Sequence, residues 1–312
     1  MKKLHVMPVI LLLLLLFMFT ACDETEPPAE SADPTETIEA PTSIESDSDL
    51  DFEYTLDDDG NAVITKYFGQ SNIVVIPETI ENHVVVTIGM ESFQCNIATS
   101  VSMPNTVTKI EGGAFYQCDR LEQIVLSENL VEIGVHAFDK CTNLKQITFP
   151  AKVRKFGDGA FDGCGLETVT FHEGIEAIGG YRSFANTKIK ELILPSTVKE
   201  IGMAAFSDCS ELESILLNEG LETIGHMAFA NNPKLKEIVI PKTVQVITEM
   251  DFSMCSGLEK IKFEGNAPAT FEWADEIIGV EKPYDVHFTI YYHEDAEGFT
   301  SPEWYGYPSE IW

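Results

Sequence analysis

The stretch LPSTVKEIGMAAFSDCSELESILL, residues 194–217, contains one complete unit of the repeat on which the fold of this chain depends. Its phenylalanine, Phe206, has counterparts on both sides, and successive copies are 22 or 23 residues apart. The copies are Phe93, Phe115, Phe138, Phe161, Phe184, Phe206, Phe229 and Phe252. A repeat of this length predicts a solenoid, because one unit can bury its apolar side only by stacking on its neighbours.

Two further features recur around each phenylalanine. An apolar residue stands five positions before it, or six in the fifth copy, and is usually followed by glycine, like Ile201 and Gly202. After the phenylalanine comes a stretch of the form L-x-x-I-x-L, as in residues 212–217, which proline often closes. This alternation predicts one strand of a parallel sheet in each repeat, with its apolar residues pointing inward. We expect the proline to turn the chain and the glycine to permit a tight corner.

The unit resembles the bacterial leucine-rich repeats known as BspA-like or treponemal-type, over about residues 73–265. The resemblance implies a curved leucine-rich-repeat solenoid of about eight repeats, with a parallel sheet on its concave side. Residues 51–72 resemble the N-terminal hairpin cap of such arrays, and residues 266–312 resemble their C-terminal cap. Because members of the family are described as cell-surface adhesins or binding proteins, the resemblance also implies a binding function.

The first residues of the chain carry an export signal. Lys2 and Lys3 precede a short apolar run, and the run ends at Thr20-Ala21-Cys22, which resembles a lipobox. We therefore predict that residues 1–21 are a lipoprotein signal peptide and that Cys22 becomes lipidated. The alternative is an ordinary signal peptide followed by an incidental cysteine.

Residues 22–50 follow as a segment rich in Asp, Glu, Pro, Ser and Thr, without any aromatic residue. Such a composition buries too little apolar surface to offset the entropy of ordering, so we predict a disordered acidic tether that begins at the lipidated cysteine. An acidic interaction tail is the alternative. The whole chain has a net charge of -31, which excludes nucleic acid as a partner.

Six of the seven cysteines fall in one slot of the repeat, two or three residues after the phenylalanine: Cys95, Cys118, Cys141, Cys164, Cys209 and Cys255. Thr187 and Asn232 occupy the same slot in two other copies. Leucine-rich repeats use this slot for an inward side chain that hydrogen-bonds the backbone of the turn. We therefore expect free buried thiols, and the spacing of the cysteines does not fit a zinc site.

No other pattern predicts a metal, a cofactor or a catalytic centre. The sequence Asp57-Asp58-Asp59-Gly60 suggests calcium, but an EF-hand loop in this register would need acids where Thr55 and Lys66 stand, so we interpret it as a turn. The histidines are scattered, and no nucleophile motif occurs. A polysaccharide-cleaving enzyme built on a parallel β-helix would need converging carboxylates, which the predicted strands lack.

The predicted binding face lies on the outward positions of the L-x-x-I-x-L strands. The first outward position alternates in charge from copy to copy, which we expect to produce attraction between neighbouring coils: Glu122, Lys145, Glu167, Lys190, Glu213, Lys236 and Glu259. The last outward position holds three successive apolar residues, Ile193, Leu216 and Val239. We predict that this strip, with Glu191, Ser214 and Glu237 beside it, contacts a protein partner or a second copy.

These features together predict a non-enzymatic binding scaffold, adhesin-like, that is exported and anchored by lipid to the outer face of a bacterial membrane. Its partner is expected to be an extracellular protein or glycan, or another copy of the chain. One alternative is a glycan-binding protein that uses the aromatic residues of the C-terminal cap. Another is a structural spacer without a specific ligand.

Overall fold

The structure is a computed structural model that describes residues 49–247, 251–271, 288–304 and 307–312. The predicted signal peptide, Cys22 and the predicted tether up to residue 48 lie outside the described residues. The described chain forms a parallel-sheet β-solenoid of about ten turns, in which two strand-bearing sides and one side of turns surround a continuous core.

We call the first strand-bearing side the front sheet, because it contains the predicted L-x-x-I-x-L strands. Its strands are β3 (Ile73–Val75), β6 (Ser100–Ser102), β8 (Gln123–Val125), β10 (Gln146–Thr148), β12 (Thr168–Thr170), β14 (Glu191–Ile193), β16 (Ser214–Leu216), β18 (Glu237–Ile240), β20 (Lys260–Phe263), β22 (Thr289–Tyr292) and β24 (Tyr307–Ile311).

We call the second strand-bearing side the side sheet. Its strands are β2 (Ala62–Tyr67), β5 (His83–Ile88), β7 (Lys109–Ile110), β9 (Glu132–Ile133), β11 (Lys155–Phe156), β13 (Ala177–Ile178), β15 (Glu200–Ile201), β17 (Thr223–Ile224), β19 (Val246–Ile247) and β21 (Thr270–Phe271). The remaining strands are β1 (Phe52–Leu56), β4 (Thr79–Ile80) and β23 (Glu303–Trp304), and a 3-10 turn spans Asp49–Asp51. Within the described ranges, no helix is both long enough and apolar enough to cross a membrane.

The front sheet confirms the predicted strand positions and their parallel pairing. Strands β14 and β16 align Glu191 with Ser214 and Ile193 with Leu216, so equivalent repeat positions lie side by side. Among the described strands, regular pairing is interrupted between β8 and β10, between β12 and β14, and between β16 and β18. The inward residues of the strands before these interruptions are only partly buried: Ile124, Val169 and Ile215.

The side sheet was not predicted. Most of its strands contain only two residues, such as Glu200 and Ile201 in β15, and two residues are too few for an alternating pattern to be visible in the sequence. Equivalent strands nevertheless pair in parallel from coil to coil, with Ile201 aligned with Ile224. The apolar residue five positions before each phenylalanine therefore belongs to a second sheet.

The phenylalanine segments form the third side of the solenoid, which we call the turn face. On this side alternate backbone N–H groups donate to the next coil, as Phe206 N does to the carbonyl oxygen of Ala228 at 2.9 Å. Residues two before and two after the phenylalanine have left-handed backbones, including Ala204 (φ 51°) and Asp208 (φ 60°). This alternation of handedness aims successive N–H groups at the same neighbour, which satisfies the backbone without a β-strand.

The centre of the core is a stack of the repeat phenylalanines. Their ring centroids are 4.9 Å apart between Phe93 and Phe115 and 6.1 Å apart between Phe229 and Phe252, with the rings nearly parallel. Tyr67 extends the stack beyond the first repeat, 5.1 Å from Phe93. Since all eight phenylalanine rings are buried, each coil contributes one layer of aromatic core.

The repeat glycine has a different role from the predicted tight corner. A Cβ atom on Gly157 would lie 2.3 Å from the backbone nitrogen of Val135, and one on Gly225 would lie 2.8 Å from the carbonyl oxygen of Ile201. Neither glycine has a positive φ. Glycine is therefore required because the backbone of the preceding coil passes too close for a side chain.

Both ends of the array continue its sheets. At the N-terminus β1 and β2 form the predicted antiparallel hairpin, and β2 also pairs in parallel with β5. At the C-terminus β22 and β24 add two parallel strands to the front sheet. The caps thus supply the turns beyond the eight phenylalanine repeats, because their strands pair directly with the first and last coils.

Candidate functional site

The front sheet presents three rows of outward side chains. The charged row is the alternating set predicted from the sequence: Glu122, Lys145, Glu167, Lys190, Glu213, Lys236 and Glu259. The middle row contains Gln123, Gln146, Thr168, Glu191, Ser214, Glu237 and Lys260. The third row contains Val125, Thr148, Thr170, Ile193, Leu216, Val239 and Lys262.

The predicted apolar strip lies in the third row. Ile193 and Leu216 are 61% and 63% exposed, although they stand on directly paired strands of an otherwise well-packed array. Val239 lies on β18 and is half-buried. The exposed part of the strip is therefore the pair Ile193 and Leu216.

The polar residues predicted beside the strip fall into two groups. Ser214 Oγ is 3.4 Å from Glu191 Oε1, and both side chains are exposed beside the apolar pair. Glu237 is half-buried and forms an ion pair with Lys262, whose Nζ is 2.6 Å from Glu237 Oε1. Lys262 also lies over the Trp312 ring, 4.9 Å from its centroid. The Glu237 carboxylate is thus already paired with Lys262 within the chain, whereas Glu191 and Ser214 lie beside the apolar pair.

The charged row does not pair within the chain as predicted. Of its six neighbouring pairs, all in the described residues, only Lys190 and Glu167 come within salt-bridge distance, at 3.4 Å. The backbones do lie on successive coils, because Glu213 N donates to the carbonyl oxygen of Lys190 at 2.9 Å. The long side chains extend into solvent instead, where an ion pair gains little over hydration.

A groove lies at the charged row, where regular pairing is interrupted between β16 and β18. It is open, has a volume of about 490 Å³ and is lined by Glu213, Pro233, Lys234 and Lys236. Lys234 is occupied by Glu211, with Nζ 2.6 Å from Oε2. Lys236 has no carboxylate within 4 Å among the described residues, so it faces solvent with its charge uncompensated.

The cysteine slot is confirmed as an inward position that satisfies the turn backbone. Cys118 Sγ is 2.9 Å from the carbonyl oxygen of Phe93, and Cys209 Sγ is 3.4 Å from that of Phe184. Asn232 does the same with its amide, which donates to the carbonyl oxygens of Phe206 and Phe229 at 3.1 and 2.7 Å. These side chains are structural, because each one donates a hydrogen bond to a backbone carbonyl of the turn.

Burial keeps these thiols protonated. It raises the pKa of the Cys164 thiol to about 12 and the pKa values of Cys209 and Cys255 to about 11. It also raises the pKa of Cys141 well above the ordinary value. Since the thiolate is the reactive form, none of these four groups is prepared for nucleophilic chemistry.

Cys95 departs from the expectation of buried thiols. Cys118, Cys141, Cys164, Cys209 and Cys255 are all free and buried, whereas Cys95 is half-buried. Its position explains the difference, because it stands two residues after its phenylalanine instead of three. That places it at a left-handed residue of the turn (φ 54°), away from the inward slot.

The turn face contains an ionic cluster that sequence reasoning missed. Arg182 bridges the coils on either side, with Nε 3.0 Å from Asp162 Oδ2 and Nη1 3.3 Å from Asp208 Oδ2. Asn231 Nδ2 donates to the other oxygen of Asp208 at 2.8 Å. The signal in the sequence was the recurrence of Asp, Asn and Arg within two residues of the phenylalanines. The cluster links four successive coils, and both of its carboxylates are used in these contacts.

A neighbouring contact on the same face involves His136 and Asp139, whose Nδ1 and Oδ2 atoms are 3.0 Å apart. The hydrogen bond that the His136 ring donates to the Asp139 carboxylate raises the pKa of His136. Within the described ranges, no group of three or more His, Cys, Asp or Glu side chains is placed to hold a metal ion.

The predicted turn at Asp57 is present. Asp57 Oδ1 accepts hydrogen bonds from the backbone nitrogens of Asn61 and Asp59, at 2.8 and 3.0 Å. The bonds from Asn61, the largest influence, lower the pKa of this carboxyl. The acidic run therefore serves the hairpin, since its first carboxylate is used within the turn.

Most described aromatic residues of the C-terminal cap pack against one another. Trp304 is buried, and its ring lies 4.7 Å from Phe299 and 5.8 Å from Phe263. Phe288 stacks on Tyr307 at 4.9 Å. Trp312 is the exception at 45% exposed, with His293 stacked on it.

Comparisons with known proteins agree with this geometry. The family model of the BspA type leucine-rich-repeat region matches residues 65–182 and 179–273, in six copies. The chain is similar to a leucine-rich-repeat protein of Bacteroides ovatus, at 25% identity and a TM-score of 0.57, with coverage of 78% of this chain and 70% of that one. No curated protein matches the chain.

Two further solved structures are similar to the chain. A leucine-rich-repeat protein of T. pallidum is 28% identical, with a TM-score of 0.47 and coverage of 73% of this chain and 86% of that one. A leucine-rich cell surface protein of Faecalibacterium prausnitzii is 23% identical, with a TM-score of 0.43 and coverage of 75% and 96%.

Proposed function

The chain belongs to the family of BspA-type leucine-rich-repeat proteins, and on that basis we propose that it is a non-enzymatic binding scaffold, anchored by lipid at the bacterial cell surface and adhesin-like in its role. The observation that carries the proposal is the exposed pair Ile193 and Leu216 on the front sheet. Contiguous exposed apolar side chains are typical of interaction sites, because water hydrates them poorly.

The surroundings of the pair suit recognition of another macromolecule. Ser214 and Glu191 offer polar atoms beside the pair, and the charged row of the same sheet includes Glu213 and Lys236. An interface of this kind combines an apolar centre with a polar rim. The described polar clusters outside the front sheet, at Arg182 and in the cysteine slot, are occupied by contacts within the chain.

The proposed location rests on the sequence of the N-terminus. Thr20-Ala21-Cys22 after the leucine run supports lipidation of Cys22, and acyl chains give stable attachment when two or more are present. The acidic residues that follow would then hold the solenoid away from the membrane, where the front sheet can meet large partners.

The test is binding of the full-length chain to a panel of purified extracellular-matrix proteins and to a glycan array. We expect a matrix protein to bind, and Leu216→Lys to abolish that binding while circular dichroism stays unchanged. Met203→Lys is the matched control, because Met203 is 49% exposed but lies on the turn face. Equal binding by Leu216→Lys and the parent would place the site elsewhere.

The most exposed described candidate for the glycan-binding alternative is Trp312, because Trp304 and Phe288 are used inside the cap. Glycan binding that Trp312→Ala abolishes and Leu216→Lys leaves intact would favour that alternative. A chain that binds neither panel would favour a structural spacer.

A further inference from the structure

We propose that the front sheet docks face to face on the front sheet of a second copy of the chain. The two solenoids run in opposite directions, and the two-fold axis lies between β14 and β16. The inference rests on the proposed function and deepens it by naming a partner. It starts from the charged row, in which five of the six neighbouring pairs of opposite charge do not form an ion pair within the chain. Those charges remain available to an opposing surface.

Symmetry decides how two copies can meet. Most homodimers have a two-fold axis, and face-to-face packing of two sheets requires the axis to lie in the interface. An axis parallel to the strands reverses the order of the coils and makes each row face itself. An axis parallel to the solenoid would instead place the charged row over the third row, and bury Glu213 or Lys190 near apolar side chains at a desolvation cost.

The alternation of charge fixes the position of the axis along the solenoid. If the axis lay on a coil, Glu213 would face Glu213 of the second copy, and Lys190 would face Lys236. If it lies midway between two coils, every facing pair in the row has opposite charge. An axis between β14 and β16 pairs Lys190 with Glu213, Glu167 with Lys236, and Lys145 with Glu259.

An axis between any two neighbouring coils would satisfy the charged row, and the apolar pair shows which of these positions is favoured. Ile193 stands on β14 and Leu216 on β16, so each would face the other residue of the second copy at the centre of the interface. The four side chains would then be removed from water together, and these two residues have the largest exposed fractions among the described apolar side chains of the outward rows.

The middle row is compatible with the same axis. Glu191 would face Ser214 of the second copy, and Glu237 would face Thr168. In the third row, Lys262 would face Thr148. The arrangement therefore brings no like charges together in any of the three rows, although the chain as a whole carries -31.

The size of the surface predicts a weak dimer. Seven strands at about 4.8 Å spacing and three rows about 12 Å wide give roughly 400 Å² of sheet per copy. A standard stable interface buries about 800 Å² per partner, so this interface belongs with transient ones. Attachment of both copies to one membrane would raise their effective concentration and favour pairing.

The experiment measures sedimentation of the full-length chain in a density-matched neutral detergent. We expect a reversible monomer–dimer equilibrium with a dissociation constant of about 10 µM to 1 mM. Raising the salt concentration should weaken it, because exposed charge pairs are screened. Leu216→Lys should raise the dissociation constant at least about tenfold, while Met203→Lys should leave it unchanged.

Charge-reversal variants test the register directly. In the Lys190→Glu homodimer each of the two facing pairs contains two carboxylates, and in the Glu213→Lys homodimer each contains two ammonium groups. Each variant should therefore dimerise at least about tenfold more weakly than the parent. A mixture of the two variants restores opposite charges in both facing pairs, so the heterodimer should recover the affinity of the parent. The N-terminal segment is identical in all variants. Any association through that segment would therefore contribute equally to every dissociation constant and would not change the comparison between variants.

Several results would overturn the proposal: a monomer at every concentration, parent-like dimers of Leu216→Lys or of either charge-reversal variant, or a mixture that associates no better than its components. The binding panel separates this failure from failure of the proposed function. A monomeric chain that binds a matrix protein through Leu216 overturns the dimer and leaves the scaffold function. A dimer that follows the mixing rule but binds nothing on the panel supports the dimer and contradicts the adhesin-like role.

Discussion

Phe206 and Cys209 show how single residues build each layer of the solenoid. The Phe206 ring stacks between those of Phe184 and Phe229, at 5.4 and 6.1 Å. Three residues later Cys209 turns inward and approaches the carbonyl oxygen of Phe184. One residue fills the layer, and the other satisfies the backbone of the turn that carries the first.

Phe206→Ala tests the role of the stack. The residue is fully buried, so its truncation leaves a cavity that we expect to cost roughly 3–5 kcal/mol of unfolding free energy. Because each coil is supported by its neighbours, hydrogen exchange should accelerate in both adjacent coils as well. Thermal unfolding followed by circular dichroism measures the loss. A melting temperature equal to that of the parent would contradict the assigned layer.

The raised thiol pKa values predict loss of stability at high pH. The pKa of the Cys209 thiol is 9.0 in the unfolded chain and about 11 in the folded one. Protonation favours the folded state in that interval, so its contribution is present below pH 9 and is lost as the pH rises towards 11. One such group accounts for about 2–3 kcal/mol at most.

Cys209→Thr provides the comparison, because Thr187 fills the same slot and donates to the carbonyl oxygen of Phe184 at 3.0 Å. Denaturant unfolding between pH 8 and pH 11 should show a shallower decline for the variant than for the parent, with similar stability at pH 7. An equal decline for both would mean that the Cys209 thiol does not resist ionisation.

At the scale of elements, the solenoid is held by three ladders of backbone hydrogen bonds. The front sheet uses strands of three or more residues, the side sheet mostly uses strands of two, and the turn face uses alternating left-handed residues. Close approach of coils makes glycine necessary at Gly157, whereas a Cβ atom on Gly179 in the next copy would have no atom within 4 Å. The extra residue of that copy moves the close contact to Gly180, which has φ 93°.

Gly157→Ala and Gly179→Ala form a matched pair. The first introduces a methyl group against backbone of the preceding coil, which we expect to cost about 1–3 kcal/mol or more, because neither coil can retreat without breaking its ladders. The second enters open space at a residue without positive φ, and should change stability by less than about 1 kcal/mol. Chemical denaturation measures both. Equal effects would show that the coils are not in close contact at Gly157.

At the scale of the whole molecule, the ionic cluster that links coils and the exposed apolar pair lie on different faces of one array. The ionic cluster of Arg182 lies on the turn face, and the apolar pair lies on the front sheet. Such separation leaves the front sheet free for partners, while the turn face binds successive coils together. The front sheet can meet an extracellular partner only if the chain is held at the cell surface, which is the role proposed for Cys22.

Cys22→Ala tests the anchor. Without its thiol the residue cannot be lipidated, so the variant should be released into the medium or accumulate unprocessed. Fractionation of cells into membrane and medium, followed by immunoblotting, measures the outcome. Membrane retention equal to that of the parent would show that Cys22 is not the point of attachment.

The repeat, its family, the inward phenylalanines and the strand positions of the front sheet could all be predicted from the amino-acid sequence. These follow from periodicity, because stacking forces each equivalent residue into an equivalent environment, so a pattern of 22 or 23 residues reports burial directly. The inward cysteine slot was readable for the same reason, and Ile193 and Leu216 were identified as outward from strand alternation alone.

Only the three-dimensional structure shows the side sheet, the reason for the glycines, the half-buried position of Cys95 and the lack of ion pairing along the charged row. Two-residue strands carry no alternation, and the approach of Gly157 to Val135 is a distance between coils that leaves no sign in composition. Whether Lys236 reaches Glu213 depends on side-chain rotamers and hydration, whose energies nearly cancel at an exposed surface. Periodicity fixes which residues are neighbours, but the distances between coils fix which neighbours interact.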